Sequence, residues 1–165
     1  MAALALLAAA ADLAWEYTHG GVPSHHLLDR ADLPAISNGW TIVVLPALAW
    51  LASRSAFSRA LAPDGSGARI AAAFFGSLLL GVALSVAFRS GDGSAASWLF
   101  MAALASGLPL RTYRLEYVFG FVVGMTFVFG AVLPTMAASV AAAISLAFHQ
   151  FVRPAFAWAF RRAVA

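Results

Sequence analysis

Between Arg69 and Arg89 the chain reads Ile70-Ala71-Ala72-Ala73-Phe74-Phe75-Gly76-Ser77-Leu78-Leu79-Leu80-Gly81-Val82-Ala83-Leu84-Ser85-Val86-Ala87-Phe88, a run without a single charge. As a helix rising about 1.5 Å per residue it matches the roughly 30 Å hydrocarbon core of a bilayer. Backbone amides in hydrocarbon must be satisfied within the segment, so the run is read as a transmembrane helix. The arginines at its two ends suit the headgroup level, with their aliphatic stems in the apolar layer.

The same pattern recurs along the chain. Apolar runs cover about 2–19, 38–54, 69–88, 94–110, 115–133 and 135–153, the last three ending near Pro109, Pro134 and Arg153-Pro154. The expected fold is therefore all-α, an integral membrane bundle of about six transmembrane helices in a single domain over 1–165. Residues 20–37 form a His-rich loop, and 154–165, with Trp158, Phe160, Arg161 and Arg162, a short interfacial carboxyl-terminal tail. Gly91-Asp92-Gly93-Ser94 and Pro63-Asp64-Gly65-Ser66-Gly67 read as turns between helices.

Composition agrees. With 62% hydrophobic and 10% charged residues and a mean hydropathy of +0.86, the chain has too few charges to coat a soluble domain. It has no cysteine, which removes disulfides, thiolate metal sites and cysteine nucleophiles. It has no lysine either, which removes Schiff-base chemistry and the lysine of a phosphate-binding loop. The sequence pI is about 10.2, yet the net charge is only +3 and the arginines sit at the ends of apolar runs. Anchoring at headgroups accounts for them, and no nucleic-acid partner is expected.

No basic residue precedes Arg30, so the first run lacks the basic start of a cleaved signal and reads as a retained helix. Across six spans, 8 arginines fall on one side and 2, Arg30 and Arg89, on the other. The positive-inside rule then puts both termini in the cytoplasm and the His-rich loop outside. Small size, richness in alanine and an arginine-only basic set suggest the cytoplasmic (inner) membrane of a bacterium.

The chemistry concentrates on the first helix and first loop. Asp12, Glu16 and His19 are spaced by four and then three residues, one stripe of a helix. Each ionisable group inside a bilayer costs about 2.5–3.5 kcal/mol on insertion scales, so the stripe calls for a polar partner, a water-filled cavity or an ion. Three functions are open to it. In the first, a metal-assisted membrane enzyme, Glu16, His19, His25 and His26 hold zinc or iron while Asp12 or Asp29 orients a ligand or acts as base. In the second, a small transporter or channel subunit, Asp12 and Glu16 relay a proton or cation, with Arg30 or Arg89 as counter-charge at the outer mouth. In the third, a structural or assembly subunit, the polar groups cap helices or pair with another chain. There Pro23-Ser24 starts a short interfacial helix, and Ser37 or Asn38 caps the second membrane helix. A dimetal bundle is not expected, because Glu16-Tyr17-Thr18-His19 is the one Glu-x-x-His motif and Glu116 the one other glutamate.

Asp12, Trp15-Glu16, Ser24, Asp29, Asp32 and Ser37-Asn38 together resemble the amino-terminal region of the alkaline ceramidases, multipass hydrolases that open with acidic residues and a Ser-Asn pair. The resemblance covers about the first forty residues and implies zinc-dependent hydrolysis of a lipid. The spacings differ, and that family's zinc also takes histidines from later helices, including a His-x-x-x-His pair. Here His149 is the one histidine after His26.

Helix packing has its own signals. Gly120 and Gly124 form a GxxxG pair, and Ala138, Ala142 and Ser145 a second small stripe. Such stripes let backbones approach closely, either within the chain or in a homo-oligomer through Gly120 and Gly124.

Overall fold

The computed structural model describes residues 2–26, 30, 32, 34–61 and 67–164. Asp29 and the turn residues 62–66 lie outside them. Helix α1 (Ala2–Thr18) leads into a two-stranded antiparallel hairpin, β1 (Ser24–His26) and β2 (Ala35–Ser37), and a 3-10 turn (Asn38–Trp40). Then follow α2 (Thr41–Ala60), α3 (Gly67–Arg89), α4 (Gly93–Ser106), α5 (Leu115–Phe129), α6 (Val132–Ala147) and α7 (Arg153–Val164). A π-helical turn (Phe148–Val152) joins α6 to α7 without a break, so the described residues form six helical rods. Three of them, Asn38–Ala60, Gly67–Arg89 and Val132–Phe156, are long and apolar enough to cross a membrane. α4 and α5, at 14 and 15 residues, are shorter apolar helices. Large apolar side chains such as Leu7, Trp50, Leu79 and Trp98 face outward, as in a protein whose solvent is lipid.

Three expectations change at the element ends. The loop after α1 holds strands where an interfacial helix was expected from Pro23-Ser24. Gly20 and Gly21 take φ of 126° and 97°, which stops the helix, and Pro23 and Pro34 each stand just before a strand. The fifth helix ends at Phe129, not at Pro134, because Gly130 turns the chain with φ of 64°. Pro134 falls in the first turn of α6, where its missing N–H is harmless. Pro154 does not end the last rod. The wider π-helical turn before it removes the clash and the lost hydrogen bond that proline imposes on an ordinary helix.

The centre of the bundle is α3 against α5. A Cβ at Gly120 would run into Phe74 O and Ser77 Oγ, one at Gly124 would lie 2.5 Å from Leu78 O, and one at Gly81 2.5 Å from Phe121 O. The Ser85 hydroxyl donates across the pair to Gly124 O at 3.1 Å. The GxxxG face expected to serve packing or a homo-oligomer is thus filled by α3 of the same chain. On one side α1 packs on α2, with Ala5, Ala9 and Ala49 buried in the core, and α2 meets α5. On the other, α4 leans on α3 and α6 on α5, and a cleft runs between α4 and α6.

Two polar ties close the bundle at the end opposite the hairpin. Arg59 of α2 makes a bidentate ion pair with buried Glu116 of α5, at 2.6 Å to Oε1 and 2.5 Å to Oε2. Ser145 of α6, fully buried, donates to Gly107 O at 2.9 Å and lies 3.1 Å from Leu110 O. It satisfies the irregular backbone after α4, the requirement that hydrocarbon places on any non-helical segment.

Candidate functional site

Glu16 sits on the last turn of α1 and is buried, 7% exposed. Its Oε1 accepts from Asn38 Nδ2 at 2.7 Å, and its Oε2 is buried with no hydrogen-bond partner. Asn38 is held by the hairpin. Its N–H donates to Pro23 O at 3.0 Å, and Ser37 Oγ, capping the 3-10 turn, accepts from Gly39 N at 3.1 Å. Ser37 therefore caps the 3-10 turn that leads into α2, not α2 itself as was expected of Ser37 or Asn38, since α2 starts after Trp40 without a side-chain cap, and the Asn38 amide turns inward.

The corner between α5 and α6 completes this end. A Cβ on Gly130 would lie 2.5 Å from Asn38 Oδ1, so only the bare backbone fits against the amide. The Ala131 N–H donates to Thr41 Oγ1 at 3.0 Å, and Thr41 is fully buried. Glu16, Asn38 and Thr41 thereby connect α1, the hairpin, α2 and the α5–α6 corner through buried polar contacts. Asp12, one turn earlier on α1, also has a buried oxygen, Oδ1, without a hydrogen-bond partner.

The histidines go elsewhere. His19 is exposed and stacks on Trp15, ring centroids 4.5 Å apart and planes at 16°, with Nδ1 2.9 Å from Trp15 O. His25 lies in the middle of β1 opposite Ile36, its ring 5.8 Å from Phe129 and its Nε2 buried without a partner. His26 follows opposite Ala35. Among the described residues no group of three His, Asp or Glu side chains is placed to hold a metal ion. The four expected ligands are divided between the Asn38 contact (Glu16), the Trp15 stack (His19) and the hairpin (His25 and His26). Of the two expected catalytic carboxylates, Asp12 stays beside Glu16 on α1, and Asp29 lies outside the described residues. Arg30, the first counter-charge expected for the relay, forms an exposed ion pair with Asp32 at 2.8 Å.

His25 and His26 instead edge a cavity of about 820 Å³ between α3, α4, α5 and α6. Its body is apolar, built from residues such as Phe88, Met125, Phe129 and Leu133, and Arg89, the last residue of α3, stands at the same end. Among the described residues Arg89 has no carboxylate in salt-bridge range. Sequence reading gave Arg89 a place at the headgroup level and named it as a counter-charge. The signal for its position beside this cavity was its place at the end of an apolar run on the side of the His-rich loop. A second cavity, of about 540 Å³, opens at the opposite end, and the two share Phe100, Leu104, Phe121 and Ala137 as a common wall.

Comparison with protein families, curated proteins and solved structures returns no match for the chain. Of the residues that resemble the alkaline ceramidases, Glu16 and Asn38 meet directly, and Ser24 pairs with Ser37 across the hairpin. The later histidine does not join them. His149 lies past the far end of α6, with Nδ1 2.9 Å from Ser145 O and its ring beside Tyr113.

Proposed function

We propose that this is a six-span membrane protein, both termini cytoplasmic, that binds an amphiphile with an anionic head in the cavity at the hairpin end. One observation carries the reading: an apolar cleft of about 820 Å³ is edged by a guanidinium and two imidazoles. A volume in this range, mostly apolar with a few convergent polar groups, is the usual form of a small-molecule site. The head would meet Arg89, with His25 and His26 beside it, and the acyl chains would lie on Phe88, Met125 and Leu133. The cleft opens between α4 and α6, so a lipid would enter sideways from the bilayer. The excess of arginine at the opposite end supports an outward-facing hairpin. This retains the membrane-lipid ligand of the enzyme reading, with an arginine as the charge that selects it.

Arg89→Gln in lipid nanodiscs is expected to lower retention of phosphatidylglycerol about tenfold, the loss of one charge-assisted contact. Retention of phosphatidylcholine should change little. Native mass spectrometry measures both, and equal retention of phosphatidylglycerol by parent and variant would refute the reading.

A second reading is favoured by the unpartnered oxygens Asp12 Oδ1 and Glu16 Oε2, both buried on one face of α1. Carboxylate oxygens left without donors inside a bundle suit a bound proton or cation, as intramembrane acids in pumps and transporters do. Asp12→Asn with Glu16→Gln is then expected to bring pH-gradient-driven flux in proteoliposomes down to the level of empty vesicles. Flux at the parental rate would dismiss the relay.

A further inference from the structure

The hairpin-end cavity has a buried side and an open side. Leu84 of α3 and Phe121 and Met125 of α5 line it and are buried, while Met136, Val140 and Ile144 of α6 line it and are exposed. Its inner limit falls at one level on the two central helices. On α3, Leu84 belongs to this cavity and Leu80, one turn deeper, to the second; on α5, Met125 belongs to this one, Phe121 to both and Val118 to the second. Phe100 and Leu104 of α4 and Ala137 of α6 complete the shared wall, and all four of its residues are apolar. The mouth is fixed as well. The Phe129 ring lies 5.8 Å from that of His25 and 5.1 Å from that of Phe88, the neighbour of Arg89. From Phe129 to Phe121 α5 descends about 12 Å, at about 1.5 Å per residue. A chain of a bilayer-forming lipid fills half of the roughly 30 Å hydrocarbon core, about 15 Å. The buried side is shorter than such a chain.

Resting on the amphiphile reading of this cavity, we infer that its ligand is a two-chain anionic lipid with one shortened chain. That chain lies on the buried side and stops at the wall of Phe100, Leu104, Phe121 and Ala137. The other runs out along Val140 and Ile144 to the bilayer. Close-packed side chains make a firm stop, because pressing extra methylenes into a filled space is unfavourable. A longer chain has to bend or leave the slot, so the wall selects by length where Arg89 selects by charge. Behind the wall the second cavity holds about 540 Å³, and Leu80, Val118 and Ala138 give it an apolar lining on α3, α5 and α6. Cutting back a wall side chain therefore lengthens the slot into further apolar space.

Native mass spectrometry of the protein in phosphatidylcholine nanodiscs can compare two phosphatidylglycerols, one with two hexadecanoyl chains and one with a hexadecanoyl and a decanoyl chain. The mixed-chain lipid is expected to be retained about fivefold better, a difference of about 1 kcal/mol. Phe100→Ala should bring the two level by raising the longer lipid. Phe100 is on α4 and partly exposed, so this change leaves the α3–α5 seam alone. Leu104→Ala should do the same in part, so the result does not depend on one variant. Ala141 lines the second cavity alone, and Ala141→Phe added to Phe100→Ala refills the space and should restore the parental ratio. Arg89→Gln should lower both lipids alike and keep the ratio. Equal retention of the two lipids by the parent overturns the length limit, and so does a preference that survives both wall substitutions. A level pair that Ala141→Phe does not separate again overturns it too, since the longer chain would then be leaving sideways. If Arg89→Gln changes neither lipid while the ratio and its loss in Phe100→Ala hold, the anionic head falls and the length limit stands.

Discussion

Arg59→Gln is expected to lower the unfolding free energy of the detergent-solubilised protein by about 3 kcal/mol, the low end for breaking a buried ion pair. For a chain of this size that corresponds to a fall in Tm of about 6–12 °C. Glu116 is 4% exposed and receives both guanidinium nitrogens, while Arg59 is further fixed by Nε donating to Ser55 O at 3.1 Å. Taking away the arginine leaves a buried carboxylate with only a backbone N–H and the nearby charge of Arg114 to stabilise it. Glu116→Gln added to Arg59→Gln removes the stranded charge and should recover most of the loss, because a neutral amide pair is far cheaper to bury. A thermal melt of the parent, the two singles and the double gives the coupling directly. If Arg59→Gln melts with the parent, the pair is screened by water and contributes little.

The helices themselves were readable because hydropathy is a local property. Each of the six apolar runs became a helical rod, and most limits moved by only a few residues. The fourth run was read as 94–110 but α4 stops at Ser106, since Gly107-Leu108-Pro109-Leu110 is as apolar as a helix while its backbone turns and is held by Ser145. Hydropathy cannot distinguish a helix from an apolar turn. The candidate site was legible in residue types and not in partners. Glu16 was singled out from its own stripe, yet its partner Asn38 lies 22 residues away and was read as a cap. Arg59 and Glu116 are 57 residues apart, and no periodicity connects them. His19 was placed on the stripe of Glu16, but stacking on Trp15, at i−4 on its own helix, competes with any shared ligand. The cavities were beyond sequence reading for a different reason. They are the space left where α4 leans on α3 and α6 on α5, a consequence of packing angles rather than of any one segment.

Gly124→Val is expected to be the most damaging single substitution in the bundle, removing at least about 3 kcal/mol and most of the folded yield. A Cβ at this position would stand 2.5 Å from Leu78 O and 2.8 Å from Val82 N, both backbone atoms of α3. A side chain in the way can change rotamer, but a helix backbone can only move as a whole. Moving α3 away would also lengthen the Ser85 to Gly124 hydrogen bond and loosen the contact at Gly81. Gly76→Ala is the matched control on α3, where a Cβ meets nothing within 4 Å. There the substitution should stabilise by up to about 1 kcal/mol, since alanine loses less backbone freedom in a helix. Far-UV circular dichroism and size exclusion on both variants separate two meanings of the glycine pair. Loss of the monomer's fold in Gly124→Val with a stable Gly76→Ala assigns Gly120 and Gly124 to the α3–α5 seam. A Gly124→Val variant that stays folded and only falls from dimer to monomer would instead give the pair to a contact between copies, and would require α3 and α5 to sit farther apart than their glycines now allow.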